Sequence, residues 1–410
     1  MESSELIPHL FRTEFRKITA VLGKQFGIGH LDLAEDIASE TFLSAMENWS
    51  YNGLPANPVA WLYTVAKNKA KNRIAREQLL NEKIVPELKY TATSTEEIEI
   101  DLSQKNSTDS QLQMLFAICH PSIPKEAQVG LSLRILCGFG IGEIANAFLT
   151  NKETITKRLY RARERLREEK IPIEFPSEKE ISQRLDTVLT TLYLLFSEGY
   201  YSQNGDSFLK KDLCMEAIRL TTMLVENPLT NRPVVNALLA LMYFQTSRME
   251  ARINASGDMI LYDDQDTGLW DYELISKGGY FLNQAATGET ISKYHLEAAI
   301  AYWHTIKEDS KEKWESLLML FDQLLEIDYS PMAALNRIYV LSKVKGKEAA
   351  LEELKKLNET GNPFFHTLLG ELYSGIDYDQ SIDHFQKAYS LVHTDAEKRN
   401  LSRKMELLGR

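Results

Sequence analysis

Residues 137–168 read CGFGIGEIANAFLTNKETITKRLYRARERLRE. Ile141, Ile144, Ala145 and Phe148 fall at helical spacing, and Thr150-Asn151 interrupts them with a polar turn. A second helix follows, carrying Lys157, Arg158, Arg161, Arg163, Arg165 and Arg167. A short helix, a tight turn and a basic second helix make a helix-turn-helix, whose second helix can lie in the DNA major groove. Lysine and arginine supply phosphate contacts, and side chains near the start of that helix can reach base edges. Small Ala145 suits a close crossing of the two helices. The competing reading is an ordinary helical hairpin with a solvated basic face. Spacing and charge coincide here, which favours DNA.

Net charge is −11 over 410 residues, which becomes compatible with DNA once it is divided along the chain. Residues 1–80 carry nine Lys+Arg and nine Asp+Glu, with the cations clustered at 67–76. Residues 111–170 carry ten bases against six acids, a net of +4. Residues 177–410 carry 25 bases against 35 acids, a net of −10. The basic surface is therefore local, and charge excludes the C-terminal half as a nucleic-acid binder.

The length suits two to four domains, and 44% hydrophobic with 26% charged residues is an ordinary soluble mixture. Cys119, Cys137 and Cys214 show neither metal spacing nor a disulfide pattern, which fits a reducing cytoplasm and buried, inert thiols rather than a redox switch. There is no stretch of 18 apolar residues and no signal-peptide pattern. No Gly-rich phosphate loop, metal-ligand spacing or nucleophile motif supports an enzyme, and no cofactor or metal is expected.

Periodicity predicts an all-α chain: 1–80, 111–170 and 177–410 as helical domains, with 81–110 as a flexible linker. The linker is polar, with seven acids against three bases. Beyond the IPIEFP hinge, apolar stripes predict helices over Ser182–Ser197, Leu213–Leu224, Val234–Phe244, Leu296–Trp303, Trp314–Leu325 and Ala333–Leu341. Leu369-Gly370-x-x-Tyr373 with Phe385-x-x-Ala388 follows the tetratricopeptide pattern, one residue short in the turn. Leu239-Ala240-x-x-Tyr243 and Leu335-Asn336-x-x-Tyr339 echo its first helix. Such helical repeats present concave surfaces to peptides or proteins.

The motifs carry a resemblance. Glu143-Ile144-Ala145, Thr154-Ile155, Lys157-Arg158-Leu159, Arg161-Ala162-Arg163 and Leu166-Arg167 resemble the −35-reading domain of bacterial sigma factors, most closely the extracytoplasmic-function group. His120-Pro121-Ser122-Ile123-Pro124 with Leu133-Arg134 resembles the start of that domain, with Ile123-Pro124 where the group usually has Leu-Pro. Leu33-Ala34-Glu35-Asp36-Ile37-Ala38-Ser39-Glu40-Thr41-Phe42-Leu43-Ser44-Ala45 resembles its polymerase-binding helix. Residues 57–76, NPVAWLYTVAKNKAKNRIAR, resemble its −10 reader, with Asn72 where Asp is frequent.

The resemblance implies partners: the largest subunits of core RNA polymerase, and promoter DNA, in the cytoplasm. It implies polymerase contacts at Glu35, Asp36, Ile37, Glu40 and Phe42. It implies −10 contacts at Trp61, Lys67, Asn68, Lys69, Lys71, Asn72, Arg73 and Arg76, and −35 contacts at Lys152, Thr154, Thr156, Lys157, Arg158, Arg161 and Arg165. Tyr51 and Asn52, in the loop between Trp49 and Pro58, are placed to meet a flipped base. Trp49 and Trp61 also sit at core spacing. The linker is expected to pass near the RNA exit path or to tether the domains.

The whole chain resembles a subgroup of these sigma factors with a fused helical-repeat extension. Its signature clusters fall at Ser197-Glu198-Gly199-Tyr200, Asp264-Gln265-Asp266 and Trp270-Asp271. Glu198, Tyr200, Asp264, Gln265, Asp266, Trp270 and Asp271 form a possible site for a protein or small ligand. Helix caps around a buried tryptophan are the alternative. The expected function is an alternative sigma factor whose extension modulates activity. The alternative is a stand-alone helix-turn-helix regulator with a sensor domain, against which the helix over 33–45 argues. The acidic extension is expected to dock on the DNA-reading domains or on polymerase.

Overall fold

Apolar residues every three or four positions turn the N-terminal segment into three long helices, α1 (Ser3–Phe26), α2 (Leu31–Asn52) and α3 (Pro58–Ile84). Phe15, Ile18 and Leu22 from α1 meet Ile37, Phe42, Ala45 and Trp49 from α2 and Leu62, Ala66 and Ala70 from α3 in one core. Gly53 ends α2 at φ 77°, a conformation costly for any residue with a Cβ. Asn57 starts α3: its side chain accepts from the Ala60 N–H at 3.0 Å, and Pro58 takes the first helical position.

The computed structural model describes residues 3–84, 100–148, 150–200, 207–252, 260, 262–357, 361–392 and 395–408. Among these residues there is no strand, as the predicted all-α class requires. Most of the expected linker, 85–99, lies outside the described residues. Its end does not behave as a flexible tether. Ile100 and Leu102 are buried in the α1–α3 core, and Ser103 caps α4 (Gln104–Ile118). Scarce apolar residues in an acidic run hid this segment, because two of them suffice to dock it.

The next helices are α5 (Lys125–Leu131), followed by a π-helical segment (Ser132–Leu136), α6 (Ile141–Ala147) and α7 (Lys152–Glu168). Asn151 caps α7, its side chain accepting from the Thr154 N–H at 2.8 Å. The Thr150 N–H reaches back to the Ala145 carbonyl at 2.9 Å and closes the turn. Ile144 and Ala145 of α6 and Ile155, Leu159, Ala162 and Leu166 of α7 are buried. The helix-turn-helix thus forms at the residues its pattern marks.

Two further helices, α8 (Glu178–Tyr200) and α9 (Ser207–Glu226), complete the first of two compact units, Met1–Thr230. They dock on the preceding helices through named contacts. The buried Thr191 hydroxyl donates to Gln128 Oε1 at 2.9 Å. Arg219 donates to the Leu136 carbonyl at 2.7 Å and to Gln111 at 3.0 Å, and Arg16 pairs with Glu216. The domain boundary expected at 177 therefore does not coincide with the structural one near 230. Periodicity shows that a helix has an apolar face but not what covers it.

The second unit, Asn231–Arg410, holds α10 (Pro233–Thr246), α11 (Tyr272–Ala285), α12 (Lys293–Trp303), α13 (Lys311–Ile327), α14 (Pro331–Lys345), α15 (Lys347–Leu354), α16 (Pro363–Tyr373), α17 (Tyr378–Leu391) and α18 (Asp395–Leu408). Helices adjacent in sequence pack on one another. Glycine permits the closest approaches. A Cβ at Gly278 of α11 would lie 2.7 Å from the Phe244 ring of α10, and one at Gly370 of α16 would lie 2.8 Å from the Phe385 ring of α17. The sequence pair Gly370 and Phe385 is thus a helix-crossing contact.

His304 follows α12 with its Nδ1 sealed from solvent and unpartnered. Burial, then Arg248 and Lys313, press its pKa from 6.5 down to about 3. The folded ring stays neutral where the unfolded ring takes a proton. Its contribution to stability is therefore present above about pH 6.5 and is lost as the pH falls toward 3. A thermal-denaturation series of the full chain should show this acid-side loss. His304→Gln should flatten it, and an unchanged slope would remove His304 as the cause.

Candidate nucleic-acid interface

The basic helix α7 divides its cations between two flanks. At about 100° per residue, Arg161 and Arg163 point about 200° apart, whereas Lys157 and Arg161 share a flank, as do Arg163 and Arg167. Lys152, Thr154, Thr156, Lys157 and Arg161 are exposed. Lys157 and Arg161 have no ion-pair partner among the described residues. Arg158 is half-buried, its guanidinium 5.6 Å from the Phe148 ring centroid. Arg165 is exposed and pairs with Glu169 at 2.7 Å. Arg163 and Arg167 turn away from this surface, to Asp32, Glu35 and the Gly29 carbonyl.

A second basic surface runs along α3. Asn68, Lys71, Asn72, Arg73 and Arg76 are exposed, and Lys67 and Lys69 are half-exposed. Lys69 reaches Glu40 of α2 at 3.4 Å. Trp61 is half-buried and lies edge-on to the buried Trp49, ring centroids 5.4 Å apart. Trp49 is a core residue, and Trp61 packs against that core with one part in solvent. Tyr51, at the end of α2, is 89% exposed. Tyr63, half-buried on α3, donates to Glu14; burial, and then that carboxylate, raises its phenol pKa.

The helix α2 offers a third surface, narrower than the sequence suggests. Asp36 and Glu40 are exposed. Ile37 and Phe42 are 3% and 2% exposed and build the core instead of a contact surface. Glu35 is buried, accepting from Arg134 Nε at 2.7 Å and from Arg163. These three of the expected polymerase-contact residues are thus engaged within the described fold. Leu43, 56% exposed, and Glu47 continue the Asp36–Glu40 face at i+7 and i+11, with Met46, 51% exposed, beside them. Exposed Leu and Met at helical spacing from two acids is the signal that sequence reading passed over.

The extension residues do not converge within one unit. Glu198 and Tyr200 lie on α8 in the first unit, and Asp264, Gln265, Asp266, Trp270 and Asp271 in the second. Glu198 is half-buried and its pKa is raised by burial, while Tyr200 stacks on Phe196 at 5.6 Å. Asp266 caps a 3-10 turn through the Gly268 N–H, and Asp271 caps α11 through Glu273 and Leu274. Trp270 is 4% exposed. Asp264 approaches Arg403 at 4.0 Å. Beside them, Tyr262 gathers Arg248, Lys307 and Lys313, with centroid distances of 5.7, 4.8 and 4.9 Å. Lys307 and Lys313 also donate to the backbone carbonyls of Tyr262 and Ile306, which anchors the turn.

Among the described residues no cluster of three His, Cys, Asp or Glu could hold a metal ion, and no helix is long and apolar enough to cross a membrane. All three cysteines are buried thiols, and burial pushes Cys119 up to about 12.

Among the described residues the protein is all-helical, with an acidic surface on α2 separate from the basic surfaces on α3 and α7. Comparison with known proteins names the first of its parts. Residues 10–79, which contain α2 and most of α3, match Sigma-70 region 2. Residues 184–286 match a family of unknown function, DUF6596. The chain is 34% identical over 357 residues to "Uncharacterized protein R00370" of Rhizobium meliloti (strain 1021), covering 84% of this chain and 82% of that protein. No solved structure matches it. The chain belongs to one family with R00370, and its residues 10–79 carry a Sigma-70 region 2. A Sigma-70 region 2 supports a sigma-factor role in transcription initiation, with core RNA polymerase and promoter DNA as partners.

Proposed function

We propose that the chain is a sigma factor of the extracytoplasmic-function type with a tetratricopeptide-like C-terminal extension. In this reading the exposed α2 face of Asp36, Glu40, Leu43 and Glu47 engages a basic surface on the largest polymerase subunits. The α3 cations and Tyr51 hold the −10 region. The exposed flank of α7 reads the −35 element. The observation that carries the −35 assignment is the division of α7: its apolar face is locked in the domain while Lys157 and Arg161 stand in solvent, with no ion-pair partner among the described residues. A stand-alone regulator would have no use for region 2, which residues 10–79 match.

The extension is proposed to set activity in cis. Its first two helices, α8 and α9, supply Thr191, Glu216 and Arg219 to the polar contacts with the DNA-reading part, which supports a coupled rather than a tethered arrangement. Run-off transcription with purified core polymerase tests both proposals, comparing the full chain with one ending after Thr230. Promoter-dependent transcript from the full chain supports the sigma assignment. Equal output from both chains under all conditions would remove the regulatory role.

Charge reversal of Asp36 and Glu40 to Lys should weaken core-polymerase binding and leave folding nearly unchanged. Glu40 reaches Lys69 at 3.4 Å, an exposed pair worth less than about 1 kcal/mol. Native-gel holoenzyme assembly reads the first effect and thermal denaturation the second. Unimpaired assembly would move the polymerase contact elsewhere.

A further inference from the structure

We propose that the cleft lined by Tyr389 of α17 and by Lys398, Arg399, Ser402, Arg403 and Glu406 of α18 binds the diphosphate group of a small phosphorylated ligand. This site lies in the second unit and is independent of the sigma-factor reading above.

The cleft measures about 450 Å³, within the usual size of small-molecule sites. Packing fixes the helix behind it. Leu401 is buried in a cluster with Phe385, Ala388 and Val392, and Met405 and Leu408 pack against that cluster. Lys404 pairs with Glu371 of α16. At about 100° per residue these contacts leave positions 398, 399, 402, 403 and 406 on the other side of α18. Arg399 and Arg403 are one turn apart, about 6 Å along the axis at 1.5 Å per residue, which suits two linked phosphoryl groups. Each guanidinium offers a planar fork of donors that matches phosphate oxygens. Lys398 adds a third cation, its Nζ 5.9 Å from the Tyr389 ring centroid. Ser402 and Tyr389 bring hydroxyl donors to the same lining.

Charge sets this cleft apart from the rest of the extension. Residues 395–410 carry five bases against three acids, a net of +2, whereas residues 177–394 carry 20 against 32, a net of −12. Elsewhere in the second unit Lys277, Lys293, Arg337 and Lys387 each pair with an acid. Lys398 has no ion-pair partner among the described residues, and Asp264 approaches Arg403 only to 4.0 Å. A cationic cleft in an acidic surround draws in a small anion and repels a polyanion that extends beyond it. This favours a free phosphorylated ligand over a nucleic-acid backbone. A lone carboxylate occupies one guanidinium fork, whereas a diphosphate occupies both. Asp264 competes with the anion for Arg403, so the ligand and the Tyr262–Asp264 turn share one arginine.

Isothermal titration of the full chain with inorganic pyrophosphate, and separately with citrate, at constant ionic strength tests the site. Saturable pyrophosphate binding in the millimolar range or tighter is expected. Arg399→Ala with Arg403→Ala should weaken it about tenfold or more, because charge-assisted hydrogen bonds are lost. Both side chains are exposed, and a melting curve checks that the variant is folded. Asp264→Asn removes the competing carboxylate and should strengthen binding several-fold. Lys157→Ala with Arg161→Ala, on the basic flank of α7, should leave pyrophosphate binding unchanged. Absence of saturable binding overturns the site, as does binding that survives the α18 substitutions or disappears with those on α7. Citrate binding as tight as pyrophosphate removes the diphosphate assignment. An affinity for random single-stranded DNA that falls with the α18 substitutions would make the cleft a nucleic-acid surface and overturn the small-ligand reading. Should the double variant melt early, Asp264→Asn leaves α18 untouched and decides alone: unchanged affinity there overturns the proposal.

Discussion

Replacing Lys157 and Arg161 together by alanine should abolish most promoter-specific binding while leaving the fold intact. Both side chains are exposed, and neither has an ion-pair partner among the described residues. The buried side of α7, Ile155, Leu159, Ala162 and Leu166, is untouched by the change. A side chain that reads a base contributes about 1–3 kcal/mol of discrimination, so two such losses reduce specific affinity by orders of magnitude. Where either residue instead neutralises a phosphate, its removal flattens the slope of log K against log salt by about 0.9. Binding to a promoter fragment and to random DNA, each measured across salt, separates the two roles. Arg158→Ala is a useful contrast, because that guanidinium also covers the Phe148 ring and its loss disturbs the turn. A double variant with wild-type affinity and salt slope would return α7 to a solvated basic face.

Trp49→Ala should be the most destabilising single change in region 2, costing about 3–5 kcal/mol. The side chain is 2% exposed in the shared core of α1, α2 and α3. Truncation leaves a cavity beneath Trp61, whose ring meets it edge-on at 5.4 Å. Trp61→Ala should cost less, since that ring is already partly in solvent. Chemical denaturation of both variants gives the comparison. Promoter opening measured at equal folded fraction then isolates any base-stacking role of Trp61. A small stability loss at Trp49 would contradict its place in the core.

Local pattern made much of this protein legible. The helix-turn-helix announced itself because three short-range signals agree: apolar spacing in α6, the polar turn at Thr150-Asn151, and the run of cations from Lys157 to Arg167 in α7. The six helices expected from apolar stripes beyond residue 177 all lie within α8, α9, α10, α12, α13 and α14. The stretch at 10–79 that matches region 2 was readable for the same reason: its cations, caps and core residues are consecutive in sequence.

Partners distant in sequence were not legible. Glu35 sits among acids that look equally solvated, yet it is buried between arginines 99 and 128 positions away, while adjacent Asp36 stays in water. Arg161 and Arg163 are equivalent in composition and in spacing to their neighbours. The helical turn sends one to solvent and the other to Glu35. The sequence alone thus determined an all-helical chain, the helix-turn-helix and the position of its basic surfaces, because hydrogen bonding, capping and amphipathic periodicity act over a few residues. Only the tertiary structure decided which charges face solvent, that Ile100 and Leu102 belong to the first core, and that α8 and α9 pack with the DNA-reading helices. Those outcomes depend on which apolar face and which opposite charge arrive at the same place when the chain closes, and no local spacing records that.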